Sequence, residues 1–171
     1  MANWMIRLGE SYLAVLYDYF HQKLYDYHVI QADETPVLVN RDGRSAGSKS
    51  YMWVYRSGHL YTDKQIVLYD YHKTRNSSHP RKFLRDYAGI CVTDGYQVYH
   101  TIEKEREDLQ IAGCWVHARR KFDEALNVIP KAHQNKSDAF LVIKQIQAIY
   151  REEGKLNTCL LYTSDAADEA R

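Results

Sequence analysis

The chain has few cysteines and no long apolar run. Three cysteines, Cys91, Cys114 and Cys159, stand among its 171 residues, which is too few for a framework and indicates a reducing compartment. No apolar run approaches the ~20 residues that a bilayer span needs, and the N-terminus lacks the charged-then-apolar layout of a signal peptide. No stretch resembles a glycine-rich phosphate loop or a serine nucleophile elbow. We therefore expect a cytoplasmic protein that does not associate with membranes.

An excess of charge of one sign is also lacking, and only the local distribution of charge is informative. The 23 basic and 22 acidic residues leave a net charge of +1, which neither favours nor excludes a polyanionic partner. Between His72 and Arg85, however, lie five lysines or arginines and no acid, and residues 117–121 read His-Ala-Arg-Arg-Lys. Such clusters suit a substrate that is itself a polyanion. A solvated basic face is the alternative for either cluster.

The spacing of apolar residues predicts an α/β fold with a mixed five-stranded sheet. A long amphipathic helix is expected from Asn3 to about Tyr27, because apolar residues recur there at helical spacing. Three strands joined by turns follow, one turn lying at Asp42-Gly43, and then helices alternate with strands. The expected strands are Val29 to Val39, Ser50 to Tyr55, Ile66 to Tyr71, Ile90 to Thr93 and Leu109 to Val116; the later helices start near Pro80, Tyr96, His117 and Asp138, with Gly89 and Gly154 as helix ends. This is the order of a ribonuclease-H-like core with flanking helices and a long N-terminal helix.

Two aspartates are the candidate site of this fold. In the ribonuclease-H-like topology the first strand lies beside the fourth, so Asp33 and Asp94 become neighbours although they are 61 positions apart (94 − 33). Two carboxylates brought together repel each other, and a divalent cation turns that repulsion into binding. The pattern therefore predicts a Mg²⁺ site for phosphoryl transfer. The alternative is that Asp33 caps a turn before Pro36 and that Asp94-Gly95 is an ordinary turn.

Three nearby polar residues receive weaker interpretations. Glu34 should point to the face opposite Asp33 and be solvated at the surface. The spacing of Cys114 and His117 is half of a zinc site, but a buried cysteine followed by a polar histidine is the favoured interpretation. His117 is expected at the end of the fifth strand, where it could approach the acids.

Several motifs in order resemble one protein family. The segments ADETP, SKSYMWVYRSG, IVLYDYHKTR, HPRKFL, TDGYQVY and GCWVHARRKFDEAL closely resemble the transposases of the insertion sequence 66 family. MANWMIRLGE is similar to the segment just before their catalytic domain. The resemblance extends from about residue 2 to residue 150.

The resemblance implies a DDE-type transposase, with Asp33 and Asp94 as the first two catalytic acids and metal ligands. Such enzymes cut DNA at transposon ends and use the freed 3′ hydroxyl to attack target DNA, with Mg²⁺ or Mn²⁺. DNA ends and target DNA are then the expected partners, and the full-length protein is expected to be a homo-oligomer. The candidate DNA contacts are Arg75, His117, Arg119, Arg120 and Lys121.

The chain also departs from the family pattern. The third acid of the family, a glutamate, lies in a later motif resembling N-N-A-A-E-R, which does not occur here. Glu124 is the possible substitute, because its helix follows the fifth strand. We expect a truncated catalytic fragment that is inactive; a non-catalytic DNA-binding remnant and a stand-alone ribonuclease-H-like nuclease are the alternatives.

The expected domain organisation has four parts. A helical lead-in covers residues 1–28, and the partial catalytic core covers 29–130. The start of a helical insertion covers 131–158. The remaining residues, 159–171, include CLLYTSDAADE, which resembles the translation of a sequencing-library adapter, so we expect a non-native tail there.

Overall fold

A computed structural model describes residues 2–39, 43–45, 47–58 and 64–168, with side chains described from 3 to 155 within those ranges. Asp42 of the predicted turn at Asp42-Gly43 lies outside the described residues. The last three residues of the predicted tail also lie outside them. The chain divides into two compact units, Met1–Gly113 and Cys114–Arg171. We describe each unit by itself.

The first unit contains a five-stranded mixed sheet. Its strands are β1 (Val29–Leu38), β2 (Lys49–Ser57), β3 (Val67–His72), β4 (Gly89–Thr93) and β5 (Leu109–Gly113), and its helices are α1 (Ala2–Leu8), α2 (Ala14–Leu24), α3 (Ser78–Phe83) and α4 (Gln97–Lys104). The strand order is β3-β2-β1-β4-β5. The first three strands pair antiparallel, whereas β4 pairs parallel to both β1 and β5. The predicted α/β, ribonuclease-H-like order is confirmed, including β1 beside β4.

Side chains that alternate along the strands form the core of the first unit. Ile30 and Ala32 of β1 are buried, and so is Cys91 of β4, which pairs with Ile30. The stacked rings of Tyr55 and Phe83, with centroids 3.4 Å apart, join β2 to α3 on this face. Residues of α3 and α4 therefore cover one face of the sheet. Side chains of β1 that point to the other face, including Asp33, lie away from this core.

The N-terminal helix differs from the prediction in its continuity and its end. Between α1 and α2 the residues Gly9–Leu13 form a π-helical turn, and α2 ends at Leu24. Glycine is a poor helix former because it loses the most backbone entropy on folding. Leu24 is buried in the core of the unit and Tyr17 packs against that core, so apolar packing anchors α2.

Gly89 begins β4 instead of ending α3, which corrects the prediction for this residue. Its φ is +144°, a value that L side chains rarely adopt, and a Cβ atom there would lie 2.6 Å from the carbonyl oxygen of His28. The amide N–H of Ile90 donates to the same oxygen at 2.8 Å. The close approach of β1 to β4 thus requires glycine at this position.

The second unit is helical. It contains α5 (Trp115–Val128), α6 (Lys131–Gln134) and α7 (Asp138–Asp168), and Ile143 and Ile146 of α7 are buried. The prediction that Gly154 ends the last helix was wrong, because α7 continues through it. The backbone of the predicted tail is helical as far as Asp168.

Candidate functional site

The register between β1 and β4 aligns Asp33 with Asp94. The last paired residues of these parallel strands are Gln31 and Val92, and each aspartate follows two residues later (33 − 31 = 2; 94 − 92 = 2). Neighbouring strands lie about 4.8 Å apart. The fold therefore carries two carboxylates from distant parts of the chain to the point where the pairing of β1 and β4 ends: Asp33 lies within β1, and Asp94 directly follows β4.

Each aspartate is fixed by a backbone hydrogen bond to one of its oxygens. The amide N–H of Glu34 donates to Asp33 Oδ1 at 2.9 Å, and the amide N–H of Tyr96 donates to Asp94 Oδ1 at 2.9 Å. Gly95 lies between the latter pair with φ +89°, a left-handed conformation that glycine adopts without steric cost. In the described part of the chain, neither Oδ2 atom accepts a backbone hydrogen bond.

Glu34 is buried, which corrects the prediction that it is solvated at the surface. Its side chain is only 1% exposed, and Arg75 Nε donates to its Oε1 atom at 2.8 Å. Arg75 Nη2 also donates to Oε1, while Glu34 Oε2 has no hydrogen-bond partner among the residues that the structure describes. The strand alternation is the physical reason, since Ile30, Ala32 and Glu34 occupy the same face.

Arg75 also contacts the segment that carries the second aspartate. Its Nη2 atom lies 3.8 Å from Asp94 Oδ2, and its guanidinium carbon lies 3.8 Å from the centre of the Tyr96 ring. The hydroxyl of Tyr96 donates to the carbonyl oxygen of Arg75 at 3.0 Å. One side chain thus neutralises charge between the two acidic segments.

The electrostatics of this cluster follow from burial and crowding of charge. Burial raises the pKa of Glu34 above its ordinary value, Arg75 acts in the opposite direction, and the negative charges of Asp94 and Asp33 add to the rise. Burial would lower the pKa of Arg75, but its hydrogen bond to Glu34 and the charges of Glu34, Tyr96 and Asp94 together outweigh burial, so the pKa lies above its ordinary value. Both aspartates are therefore near enough to Glu34 for their charges to act on it.

The two aspartates are of the right chemical type to bind a hard divalent cation, but they do not form a complete binding site. Carboxylate oxygens are suitable ligands for Mg²⁺, which keeps several waters and needs few protein carboxylates. Within the described ranges, no group of three or more His, Cys, Asp or Glu side chains is arranged to hold a metal ion. Two aspartates could supply two ligands of such an ion.

Comparison with known proteins identifies the family. The chain matches the Transposase IS66 family over residues 1–171. It belongs to the IS66 transposase family. It is also similar to the uncharacterized protein y4qI of Sinorhizobium fredii (strain NBRC 101917 / NGR234), with 34% identity over 131 residues that make up 71% of this chain. The match covers 24% of that relative, so this IS66-family chain spans about a quarter of its length.

The other predicted site residues of this IS66-family chain lie on α5, in the second unit. His117 is in the first turn of α5, so its predicted place at the end of a strand was wrong: β5 ends at Gly113 and the helix begins at Trp115. Trp115 and Val116 favour strands by propensity, but both are exposed in the helix. His117 Nδ1 is buried without a hydrogen-bond partner among the described residues.

Two basic residues of α5 pair with acids of the same helix. Arg119 Nε lies 3.4 Å from Asp123 Oδ2, and Lys121 Nζ lies 3.4 Å from Glu124 Oε2. Arg119 and Arg120 line a cleft of about 400 Å³ together with Tyr150 of α7. The side chain of Glu124 is 58% exposed.

Sequence reasoning missed two residues of the first-unit cluster. Tyr96 was not singled out, and no local pattern predicts its stacking on Arg75. Burial of Glu34 had a signal, because it continues the apolar face of Ile30 and Ala32.

No described helix of this IS66-family chain is both long and apolar enough to cross a bilayer.

Proposed function

We propose that this chain is part of the catalytic domain of a DNA transposase, in which Asp33 and Asp94 bind Mg²⁺ or Mn²⁺ for phosphodiester cleavage and strand transfer. The observation that supports this most is the β1–β4 register, which gives the two aspartates equivalent positions two residues beyond the last paired residues, Gln31 and Val92. Membership of the IS66 transposase family supports the reaction class. The activity of the longer protein is part of the proposal, because the chain spans about a quarter of its relative.

The two aspartates would bind the cation through the oxygens that accept no backbone hydrogen bond in the described residues. When bound, the ion would activate the attacking hydroxyl and stabilise the leaving oxygen of an in-line displacement. The backbone N–H groups of Glu34 and Tyr96 hold the other two oxygens in place. The protein's contribution is therefore to keep two carboxylates fixed before the ion arrives.

The metal proposal is tested by titrating the full 171-residue chain with Mn²⁺ by isothermal calorimetry. Asp33→Asn and Asp94→Asn should each reduce Mn²⁺ affinity at least tenfold, because each removes a charged ligand. Asp86→Asn is the matched control: Asp86 is exposed and pairs with the adjacent Arg85 at 3.0 Å. Equal affinities in all four proteins would contradict the proposal.

The third acid is a separate question. We propose that the chain alone does not cleave DNA, since no group of three or more His, Cys, Asp or Glu side chains in the described ranges is arranged to hold a metal ion. Glu124 is the candidate for the third position. In the same titration Glu124→Gln should weaken Mn²⁺ binding if Glu124 is a ligand. Unchanged Mn²⁺ affinity would show that Glu124 does not bind the ion.

A DNA-binding remnant without catalysis is the second candidate, favoured by the exposed basic side chains of α5. DNA affinity should then fall steeply with salt, and Lys121→Ala should reduce the slope of log affinity against log salt by about 1. Lys23→Ala, which removes an exposed lysine paired with Asp26, should leave the slope unchanged. Salt-dependent DNA binding without Mn²⁺ binding would favour this candidate, and metal-dependent nicking would favour a stand-alone nuclease.

The remaining DNA contacts and partners belong to the same proposal. Arg75, His117, Arg119 and Arg120 are proposed phosphate contacts, and transposon ends and target DNA are the proposed partners. A homo-oligomer in the full-length protein and a cytoplasmic location are also proposed.

A further inference from the structure

Arg75 joins the two segments that carry the aspartates. On one side its Nε and Nη2 atoms donate to Glu34 Oε1, and Glu34 directly follows Asp33. On the other side its guanidinium stacks on Tyr96, whose hydroxyl donates back to the Arg75 carbonyl oxygen. We call Glu34, Arg75 and Tyr96 the Arg75 clamp.

The clamp uses properties that only arginine has. A planar guanidinium can donate two hydrogen bonds to a carboxylate and stack on an aromatic ring at the same time, whereas a lysine ammonium is a single point of charge. The carboxylate that it contacts is buried and has no other hydrogen-bond donor in the described chain. Glu34 therefore fixes Arg75, and Arg75 in turn fixes Tyr96.

The position of Tyr96 determines the position of Asp94. The Tyr96 amide donates to Asp94 Oδ1 across Gly95, and Arg75 Nη2 lies 3.8 Å from Asp94 Oδ2. Asp94 directly follows β4, which ends at Thr93. Its carboxylate is held by these contacts to the clamp.

We propose that Arg75 is a positioning residue that holds Asp94 opposite Asp33 for cation binding. This inference rests on the proposed function, since it assigns a role at the same metal site. Partners that orient metal ligands in this way typically contribute 10- to 100-fold to metal affinity.

A simple charge argument predicts the opposite effect of removing Arg75. A positive charge 3.8 Å from a ligand oxygen repels an incoming cation, so its removal should strengthen Mn²⁺ binding. Positioning predicts that removal weakens binding, because Asp94 is no longer held. The sign of the change therefore separates the two roles.

The test is a Mn²⁺ titration of Arg75→Met in the full chain, with Arg85→Met as the matched control. Arg85 is an exposed arginine that pairs with its neighbour Asp86. We expect Arg75→Met to weaken Mn²⁺ binding about tenfold or more, Arg75→Lys to rescue little of the loss, and Arg85→Met to bind as the wild type does. Equal or tighter binding by Arg75→Met would overturn the inference.

A second variant guards against misfolding. Arg75→Met leaves Glu34 buried without its partner, which is strongly destabilising, so the double variant Glu34→Gln/Arg75→Met removes both charges. It should keep the circular dichroism spectrum of the wild type and show the same loss of Mn²⁺ affinity. If neither variant folds, Arg75 is a structural residue and the positioning role is refuted.

A metal-free measurement separates this inference from the proposed function. The clamp predicts faster hydrogen exchange of the Tyr96 amide in the double variant, and no change in Arg85→Met. A wild-type chain that binds no Mn²⁺ would contradict the proposed function, even where the exchange result supports the clamp. Unchanged exchange at Tyr96 would contradict the clamp whether or not Mn²⁺ binds.

Discussion

Replacing Gly89 by alanine should be among the most damaging small substitutions in the first unit. The alanine Cβ would lie 2.6 Å from the His28 carbonyl oxygen and 2.7 Å from the Tyr87 hydroxyl. Backbone strain at φ +144° contributes about 1–3 kcal/mol. Displacing Tyr87 from its hydrogen bond to His28, 2.9 Å long, contributes about 1 kcal/mol more. We expect a loss of about 2–4 kcal/mol in the free energy of unfolding.

Two other glycines provide matched controls for the same substitution. Gly95→Ala has φ +89° but open space around the new Cβ, so only strain of about 1–2 kcal/mol is expected. Gly9→Ala lies in a helical segment with no heavy atom within 4 Å and should stabilise by about 0.5–1 kcal/mol. The loss in the free energy of unfolding should therefore be largest for Gly89→Ala and smaller for Gly95→Ala, and Gly9→Ala should be stabilising.

Urea unfolding followed by the fluorescence of Trp53 measures these changes in the first unit. Trp53 is fully buried, whereas Trp4 and Trp115 are exposed, so both exposed tryptophans are first replaced by phenylalanine. A loss below about 1 kcal/mol for Gly89→Ala, within the range of ordinary surface changes, would refute the argument from close approach.

Three further predictions concern the core and the histidines. Burial raises the pKa of the Cys91 thiol to about 12, so in peptide mapping iodoacetamide should label Cys91 only after unfolding; labelling of the native protein would contradict its burial. Burial, and then the charge of the stacked His72, lowers the pKa of His79. The unfolded state then binds the proton more readily, so stability falls as pH is lowered through 6.5, and urea midpoints should show a smaller fall in His79→Gln. Phe83→Ala removes the ring stacked on Tyr55 and should cost about 3–5 kcal/mol; a cost below 1 kcal/mol in urea unfolding would refute the packing.

The strand order could be predicted because it depends on local patterns. The alternation of apolar and polar residues, the turn residues and the helical spacing predicted three hairpin-connected strands followed by alternating helices and strands. This is the order of the ribonuclease-H-like topology. The paired positions Ile30 and Cys91 then follow from the parallel neighbourhood of β1 and β4. That register gives Asp33 and Asp94 equivalent positions on neighbouring segments, and their role as metal ligands stays a prediction.

The rest of the cluster depends on contacts that local patterns do not encode. Glu34 and Arg75 are 41 positions apart, and a glutamate is almost never fully buried unless it is paired. Its charge therefore suggested solvent, although the alternation of β1 suggested the core. His117 was misplaced for a related reason: strand propensity at Trp115 and Val116 was overridden by the helix that they begin.

The shared register of β1 and β4 has a consequence for how chain length can vary in homologues of this protein. Insertions in the hairpins between Leu38 and Gly89 change the separation of the two aspartates along the chain without moving either one in space. A single deletion between Val29 and Asp33 would instead turn every later side chain of β1 to the other face. Asp33 would then lie in the interior and Glu34 at the proposed cation site, so homologues should conserve the spacing within each strand and vary it freely between the strands.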